Sequence, residues 1–271
     1  MMKSPRRLAT ALVCFLSAAS AFSDETARFD VVIVGGTPGG IMAAIATARG
    51  GHSAVILDRN RHIGGLPANG LGATDIQTRG ATAGLFLEFV GRIKRHYLDT
   101  YGPDSPQVKD CSDGYHFEPS VAEKIFEQML AEHQDKITVL PRRQFDAKPE
   151  NVTLVHGAIT QITVTHRDTR EIERYAGKVF LDATYEGDLA AAAGVPFRIG
   201  REAHDELNEP MAGRLYKHWG GQVGPGSTGE ADQAVQAYNF RLCLTRNPDD
   251  MVPIPKPESY NRDEYVSLID D

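Results

Sequence analysis

Residues 31–60, VVIVGGTPGGIMAAIATARGGHSAVILDRN, constrain the fold more than any other part of the chain. The β-branched run 29–34 predicts a strand buried on both faces of a parallel sheet. Apolar residues at helical spacing over 38–49 predict a helix that Gly50 and Gly51 end, and 53–58 predicts a second buried strand. A strand, a helix and a strand in this order are typical of the βαβ unit of an α/β fold.

The glycine-rich turn GGTPGG between the first strand and the helix predicts a site for the diphosphate of a dinucleotide. Unpaired backbone N–H groups and the helix dipole favour phosphate at a helix N-terminus. Gly35 is expected to allow the tight turn, and Gly40 the close packing of helix against strand. Asp58, which ends the second strand, is placed to accept hydrogen bonds from a ribose hydroxyl. A plain glycine-rich turn is the alternative.

Thr37 departs from the usual GxGxxG pattern, because it stands where the middle glycine lets the backbone approach the pyrophosphate. Its Cβ takes room, although its hydroxyl could donate to a phosphate oxygen. We therefore expect a variant of this site. Arg59 suggests a 2′-phosphate, but the carboxylate of Asp58 would repel it, and an unphosphorylated ribose is favoured.

A second glycine-rich stretch, HIGGLPANGLGATD, follows the second strand. It brings backbone close to a ligand that continues beyond its diphosphate, which suits a flavin. With VFLDATYEGDLAAAAGVPFRIGRE and AYNFRLCLT, these motifs resemble the FAD-dependent oxidoreductase family of glutathione-reductase-like flavoproteins, some members of which are labelled xanthan lyase-like. The resemblance covers roughly residues 29–247.

The resemblance implies a Rossmann-like FAD-binding domain with a parallel sheet, joined to a second, substrate-facing domain. It implies FAD as the cofactor and a small molecule as the substrate. Thr37 matches this family's own variant. The implied cofactor-binding residues are Gly35, Gly36, Thr37, Pro38, Gly39 and Gly40 at the pyrophosphate, Asp58 at the adenosine ribose, and Arg59, Gly64, Gly65 and Leu66 toward the flavin.

The segments after residue 83 are expected to form structural helices and strands, the last of which brings the chain back to the cofactor. Helices are expected over 84–97 and 119–133, a strand over 136–141, and a β-meander with turns at His156-Gly157 and Arg167-Asp168 that feeds a final strand, KVFLDA. Because strand ends face the ligand crevice, Asp182, Ala183 and Thr184 are expected at the cofactor. Alternatively, Asp182 and Asp188 only cap the short helix that follows.

The N-terminus predicts a signal peptide over residues 1–21. A basic segment, an apolar stretch and the small-residue site ASA at 19–21 follow in that order, which predicts cleavage after Ala21 and a secreted protein. A membrane anchor is the alternative, but the apolar stretch is short for a span. No stable membrane span is therefore expected after cleavage.

We expect the FAD-binding domain over 28–195 and the start of a substrate domain over 196–271. No later glycine-containing strand and helix follow, whereas the family normally returns near its C-terminus to complete the first domain. Three interpretations stay open: a fragment that lacks this return, a truncated gene model, or a shortened chain that binds FAD poorly. Four polar residues of the second region are candidate ligands for a substrate or the flavin carbonyl, although each is more readily explained as structural: Arg201, Glu202, His204 and Arg241.

Composition excludes several partners. A formal net charge of -7 without a basic cluster argues against nucleic acid. The absence of CxxC, HExxH and Cys/His clusters argues against a metal site. After signal cleavage, Cys111 and Cys243 remain and could form one disulfide. Asn151 begins a glycosylation sequon.

The sequence thus predicts a secreted FAD-dependent oxidoreductase that transfers a hydride from a small organic or carbohydrate-like substrate to flavin. Two alternatives stay open: a polysaccharide lyase-like protein with an acid–base pair outside the cofactor cleft, and a truncated chain that binds nucleotide without turnover. A nicotinamide dehydrogenase is less favoured. No catalytic residue is identified, and the oligomeric state stays open.

Overall fold

The computed structural model describes residues 26–217, 221–236, 241, 244–245 and 247–264. The chain divides into two compact units, of which the first ends at Arg198 and the second begins at Ile199. The signal peptide predicted over 1–21 lies outside the described residues. Most of the AYNFRLCLT motif, including Cys243, also lies outside them.

A seven-stranded sheet forms the centre of the first unit. Its strands are β1 (Thr26–Val34), β2 (Ala54–Asp58), β3 (Ile137–Pro141), β4 (Arg143–Gln144), β5 (Val152–Val155), β6 (Ala158–His166) and β7 (Ile172–Asp182). Strands β3, β2, β1 and β7 are parallel neighbours in that order. β6 is antiparallel to β7, and β4 and β5 pair with the other edge of β6. The predicted α/β class, parallel sheet and β-meander are confirmed.

Both faces of the parallel strands are covered, which explains why β1 and β2 carry nearly unbroken apolar runs. Successive side chains of a strand point to opposite faces. Ile33 and Ile56 lie in one hydrophobic cluster, whereas Val32 and Val55 lie in the other, and all four are fully buried. A strand buried on both faces needs no polar alternation.

Helices on one face of the sheet supply most residues of the larger of the two hydrophobic clusters. The helices are α1 (Pro38–Arg49), α2 (Gly84–Tyr101), α3 (Pro106–Asp110), α4 (Pro119–Ala131), α5 (Asp188–Ala192) and, in the second unit, α6 (His204–Leu207). Phe89 of α2 stacks on the fully buried Phe126 of α4, with ring centroids 4.3 Å apart. α5 instead contributes Leu189 and Ala192 to the smaller cluster. No helix within the described ranges is long and apolar enough to cross a membrane.

β7 is one continuous strand that ends at Asp182, as predicted for KVFLDA, but it begins earlier, at Ile172. Its first residues pair with β6, and from Arg174 to Asp182 it pairs with β1. Gly177 in its middle lowers the strand propensity of the sequence. A Cβ at Gly177 would lie 2.9 Å from Val32 Cγ2, so tight packing against β1 accounts for the glycine.

Cys111 is a free, buried cysteine whose thiol donates a hydrogen bond to the carbonyl of Val108 at 3.2 Å. The disulfide with Cys243 stays a prediction, since Cys243 lies outside the described residues.

Glu88 of α2 joins three helical segments through ion pairs. Its carboxylate binds Arg49 of α1 in a bidentate pair, with distances of 2.8 and 2.9 Å, and also accepts from Arg92 at 2.6 Å. Arg92 in turn binds Glu132, at the end of α4. The hydrogen bond from Arg49 and the nearby Arg92 lower the pKa of Glu88 to about 2. These pairs hold α1, α2 and α4 together at their exposed edges.

Replacing Glu88 with Gln is expected to lower the free energy of unfolding by about 1 kcal/mol near neutral pH, the size of a partly exposed ion pair. Because the folded pKa lies below the ordinary value of 4.5, the carboxylate stabilises the fold above about pH 4.5, and this contribution is lost as the pH falls toward about 2. Urea unfolding at about pH 7 and about pH 3 should therefore show a smaller acid-dependent loss in E88Q than in the wild type.

The control is E127Q, which changes an exposed glutamate on α4. Its acid-dependent loss should equal that of the wild type. An E88Q protein that loses as much stability on acidification as the wild type would contradict this account.

Candidate active site

A cavity of about 220 Å³ opens at the carboxyl ends of β1, β2 and β7. Half of the predicted cofactor residues line it: Gly35, Thr37, Asp58, Arg59, Gly65, Leu66 and Thr184. The others do not line it: Gly36, Pro38, Gly39, Gly40, Gly64, Asp182 and Ala183. Several residues of this second group form the backbone supports described below.

The turn after β1 has no room for side chains at two of its glycines. Gly35 has a φ of +108°, and a Cβ there would lie 2.5 Å from the carbonyl oxygen of Ala183. A Cβ at Gly40 would lie 2.2 Å from the carbonyl oxygen of Gly35. Glycine at both positions lets β1, α1 and the segment after β7 meet at one point.

The N-terminus of α1 offers hydrogen-bond donors to an anion. Thr37 is the N-cap residue, and within the described part of the chain the backbone N–H groups of Thr37 and Gly39 have no hydrogen-bond partner. The Thr37 hydroxyl donates to the carbonyl of Ala183 at 2.8 Å and accepts from Gly40 N–H at 3.4 Å. Its one hydrogen is thus engaged, so a phosphate at this position would be bound by backbone N–H groups and the helix dipole.

Asp58 anchors the turn in addition to lining the cavity. Its side chain is buried, with one carboxylate oxygen accepting from Gly36 N–H and the other from Asn60 N–H, both at 2.6 Å. A carboxylate oxygen has two lone pairs. Asp58 therefore keeps the capacity to accept from a ribose hydroxyl, as the sequence predicts.

The second glycine-rich turn is fastened to the first. Gly64 N–H donates to the carbonyl of Gly36 at 2.7 Å. The Asn69 amide donates to the carbonyl of Gly65 at 2.7 Å, and Leu66 N–H donates to the Tyr185 hydroxyl, also at 2.7 Å. Gly65 and Leu66 line the cavity, whereas the N–H of Gly64 is engaged within the protein.

The segment after β7 returns to the turn that follows β1. Ala183 N–H donates to the carbonyl of Val34 at 2.8 Å. The Asp182 carboxylate accepts from Thr184 N–H at 3.0 Å and from Ala190 N–H, in the first turn of α5, at 2.9 Å. Asp182 thus acts as a structural acceptor at α5, which favours the alternative that it caps this helix.

Acidic side chains concentrate at the far end of the cavity. Asp188 lines it, and burial together with the neighbouring Glu186 carboxylate raises the pKa of Asp188. Arg59 lies 3.3 Å from Glu186, so its charge is balanced there. This end suits hydrogen-bond donors such as ribose hydroxyls better than a phosphate.

Sequence reasoning missed three residues that come shortly after β3. Arg143 and Gln144, which form β4, and the next residue, Phe145, all line the cavity. Arg143 is fixed by a bidentate pair with Glu173, at 3.0 Å for both contacts. The carboxyl ends of parallel strands face the ligand crevice, and this rule led to the prediction of Asp182. It applies equally to β3 and could have found these three residues.

The candidate ligands of the second unit are largely engaged within the protein. Arg201 binds both carboxylate oxygens of Asp232, and the hydrogen bond lowers the pKa of Asp232 to about 2. His204 begins α6, with Nδ1 2.9 Å from the carbonyl oxygen of Glu209. Glu202 and Arg201 line one cavity of this unit. Arg241 does not line that cavity.

A model of the family described as FAD dependent oxidoreductase matches residues 30–270. The chain belongs to this family. The family predicted from the glycine-rich motifs is thereby confirmed, and with it FAD as the cofactor. No curated protein matches the chain in sequence.

Three solved structures illustrate the range of similar proteins. The myxobacterial chondrochloren halogenase CndH is 18% identical over 58% of this chain, with a TM-score of 0.40. THI4 of Thermovibrio ammonificans is 20% identical over 65%, with a TM-score of 0.41. Glycerol-3-phosphate dehydrogenase of Bacillus halodurans, in complex with FAD, is 9% identical over 61%, with a TM-score of 0.39. The chain covers 37%, 66% and 36% of these three proteins, respectively.

Gly39 allows a test of where the diphosphate binds. A Cβ at Gly39 would have only an ordinary contact, with Thr37 Oγ1 at 3.8 Å, so a side chain fits. An aspartate in the first turn favours the helix through its dipole but repels a diphosphate. G39D is therefore expected to bind FAD at least about tenfold more weakly than G39N, as measured by titration of flavin fluorescence.

G39N is the matched control, because asparagine has nearly the size of aspartate without its charge. Urea unfolding should give G39D a free energy of unfolding at least equal to that of G39N. Equal FAD affinity in the two variants would show that the diphosphate binds away from the N-terminus of α1.

Proposed function

We propose that this protein is an exported FAD-dependent oxidoreductase that transfers a hydride from a small organic or carbohydrate-like substrate to the flavin. The observation that carries the proposal is the constellation at the N-terminus of α1. Within the described residues, the N–H groups of Thr37 and Gly39 have no partner, no side chain fits at Gly35 or Gly40, and the buried carboxylate of Asp58 fixes the turn through Gly36 N–H. Such a constellation suits a dinucleotide, and the family supplies its identity as FAD.

The residues of the cavity divide the cofactor between them. Thr37 and Gly39 would bind the diphosphate, Asp58 would accept from the adenosine ribose, and the turn at Gly65 and Leu66 would line the way to the flavin. When bound, FAD supplies the hydride acceptor, and the protein supplies position and electrostatics.

The charges around the cavity favour this orientation. The acidic end formed by Glu186 and Asp188 would repel phosphate, whereas the helix N-terminus attracts it. The ion pair between Arg59 and Glu186 also removes the cation that a 2′-phosphate would need. An unphosphorylated adenosine ribose is therefore expected at the acidic end.

A lyase-like activity is less well supported. It would need a deprotonated tyrosine or a histidine as a base outside the cofactor cleft, and Tyr97 and His116 do line a second cavity. Tyr97, however, is buried, and its hydroxyl contacts the Glu118 carboxylate. Burial and this carboxylate raise the pKa of Tyr97, which makes it a poor base near neutral pH.

The first test is the visible absorption spectrum of the purified chain after incubation with FAD and removal of the free cofactor. Retention of the absorption bands of oxidised flavin is expected, and acid should release FAD. Anaerobic addition of sugars, alcohols, amines or hydroxy acids should then bleach the flavin with at least one class, because hydride transfer reduces it. G39D provides the control with weakened cofactor binding, and it should retain less flavin after removal of the free cofactor.

Two other results would lead to different conclusions. A chain that retains FAD but is reduced by no class of substrate would favour the non-catalytic, nucleotide-binding alternative. A chain that retains no FAD would contradict the proposed function.

Export is tested separately. Expression of the full chain in a secreting host should yield an extracellular protein whose N-terminal sequence begins after Ala21, because the signal peptidase cleaves after small residues. Replacing Ala19 and Ala21 with bulky residues should block this cleavage. Retention of an uncleaved, membrane-bound wild-type chain would instead support the membrane anchor.

A further inference from the structure

Tyr185 bridges two segments of the cofactor cavity. It follows β7 in sequence, yet its hydroxyl accepts a 2.7 Å hydrogen bond from Leu66 N–H on the opposite side of the cavity. Its side chain lines the cavity and is 58% exposed, so burial in the core does not account for its position.

The phenol occupies the space beside Gly65. A Cβ at Gly65 would lie 2.2 Å from the Tyr185 hydroxyl oxygen and 3.0 Å from Cδ of Pro38, the first residue of α1. Gly65 is thus held between the N-terminus of α1 and the ring of Tyr185. Its φ of +57° is a conformation that favours glycine.

We propose that Tyr185 is a positioning residue for the cofactor. Its hydroxyl holds the turn 64–66 against the N-terminus of α1 before FAD binds. The inference rests on the proposed function, since it concerns the way to the flavin. It adds a residue that neither the glycine motifs nor the diphosphate site identifies.

The turn needs such a support because its own backbone is permissive. Gly64 and Gly65 both have positive φ, and glycine loses more conformational freedom on ordering than other residues. Gly64 N–H donates to the Gly36 carbonyl, and the Gly65 carbonyl accepts from the Asn69 amide. On the C-terminal side of the turn, the donor that Tyr185 binds is Leu66 N–H. Tyr185 satisfies that donor and so fixes the C-terminal side of the turn.

A turn that is ordered before FAD binds favours binding, because the binding free energy is not reduced by the cost of ordering the turn. The bridge also links the turn to the segment 182–184, which is itself hydrogen-bonded to β1 through Ala183 and Val34. The two sides of the cavity are thereby held at a fixed separation. Tyr185 acts through Leu66, with no role in the hydride transfer itself.

The test compares Y185F with the wild type by two measurements. Phenylalanine keeps the ring and removes the hydroxyl. Hydrogen exchange of the FAD-free protein, measured by mass spectrometry on peptides that cover residues 62–71, should be about threefold to tenfold faster in Y185F, the effect of one lost hydrogen bond. The dissociation constant for FAD, measured by flavin fluorescence, should rise by a similar factor.

Y101F is the matched control. Tyr101 is the last residue of α2, is 47% exposed and does not line the cavity. Its replacement should leave both the exchange of residues 62–71 and the FAD dissociation constant unchanged.

Four outcomes would overturn the proposal. Unchanged exchange in Y185F would show that the hydroxyl does not hold the turn. Faster exchange with unchanged FAD affinity would show that holding the turn does not assist binding. Tighter or faster FAD binding would show that Tyr185 competes with the cofactor for Leu66 N–H. If the wild type binds no FAD, the proposed function fails, and the positioning of a cofactor by Tyr185 fails with it, even where exchange shows that the turn is held.

Discussion

Ala183 lies so close to the turn after β1 that no side chain fits between them. Its N–H binds the carbonyl of Val34, and its carbonyl accepts from the Thr37 hydroxyl, so one residue fastens both the end of β1 and the start of α1. A Cβ at Gly35 would lie 2.5 Å from the same carbonyl oxygen. This contact joins segments about 150 positions apart in the sequence, and it directs the N-terminus of α1 into the cavity.

Carboxylates at strand ends have a double function in this site. Asp58 ends β2 and Asp182 ends β7, and each accepts hydrogen bonds from backbone N–H groups of the turn that follows or faces it. Such bonds to a charged acceptor are stronger than those to a neutral one. The two residues differ in access, since Asp58 lines the cavity and Asp182 does not. Asp58 therefore combines support of the turn with a surface for ligand binding.

The parts of the site that sequence could predict are those with a local signal. The run β1, α1 and β2 follows from apolar periodicity and from glycine at Gly35 and Gly40, and α1 has the bounds that the sequence predicts. The continuity of β7 through Gly177 depends on packing against β1, which no local pattern records. The rule that the carboxyl ends of parallel strands face the ligand crevice could have indicated the residues after β3, which line the cavity. The contact of Tyr185 with Leu66 joins residues 119 positions apart, so it becomes visible only with the strands in place.

The cavity offers an anion no unpaired cationic side chain among the residues that line it. Each Arg or His side chain that lines it has a carboxylate partner: Arg59 pairs with Glu186, Arg143 with Glu173, and His62 with Glu123. At the N-terminus of α1, the backbone N–H groups of Thr37 and Gly39 have no hydrogen-bond partner within the described residues, and they carry no net charge. Because these donors are fixed in direction, they would recognise a phosphate by its position on the helix axis. A dinucleotide site is therefore compatible with a formal net charge of -7, since binding at α1 would depend on oriented dipoles and not on the overall field of the protein.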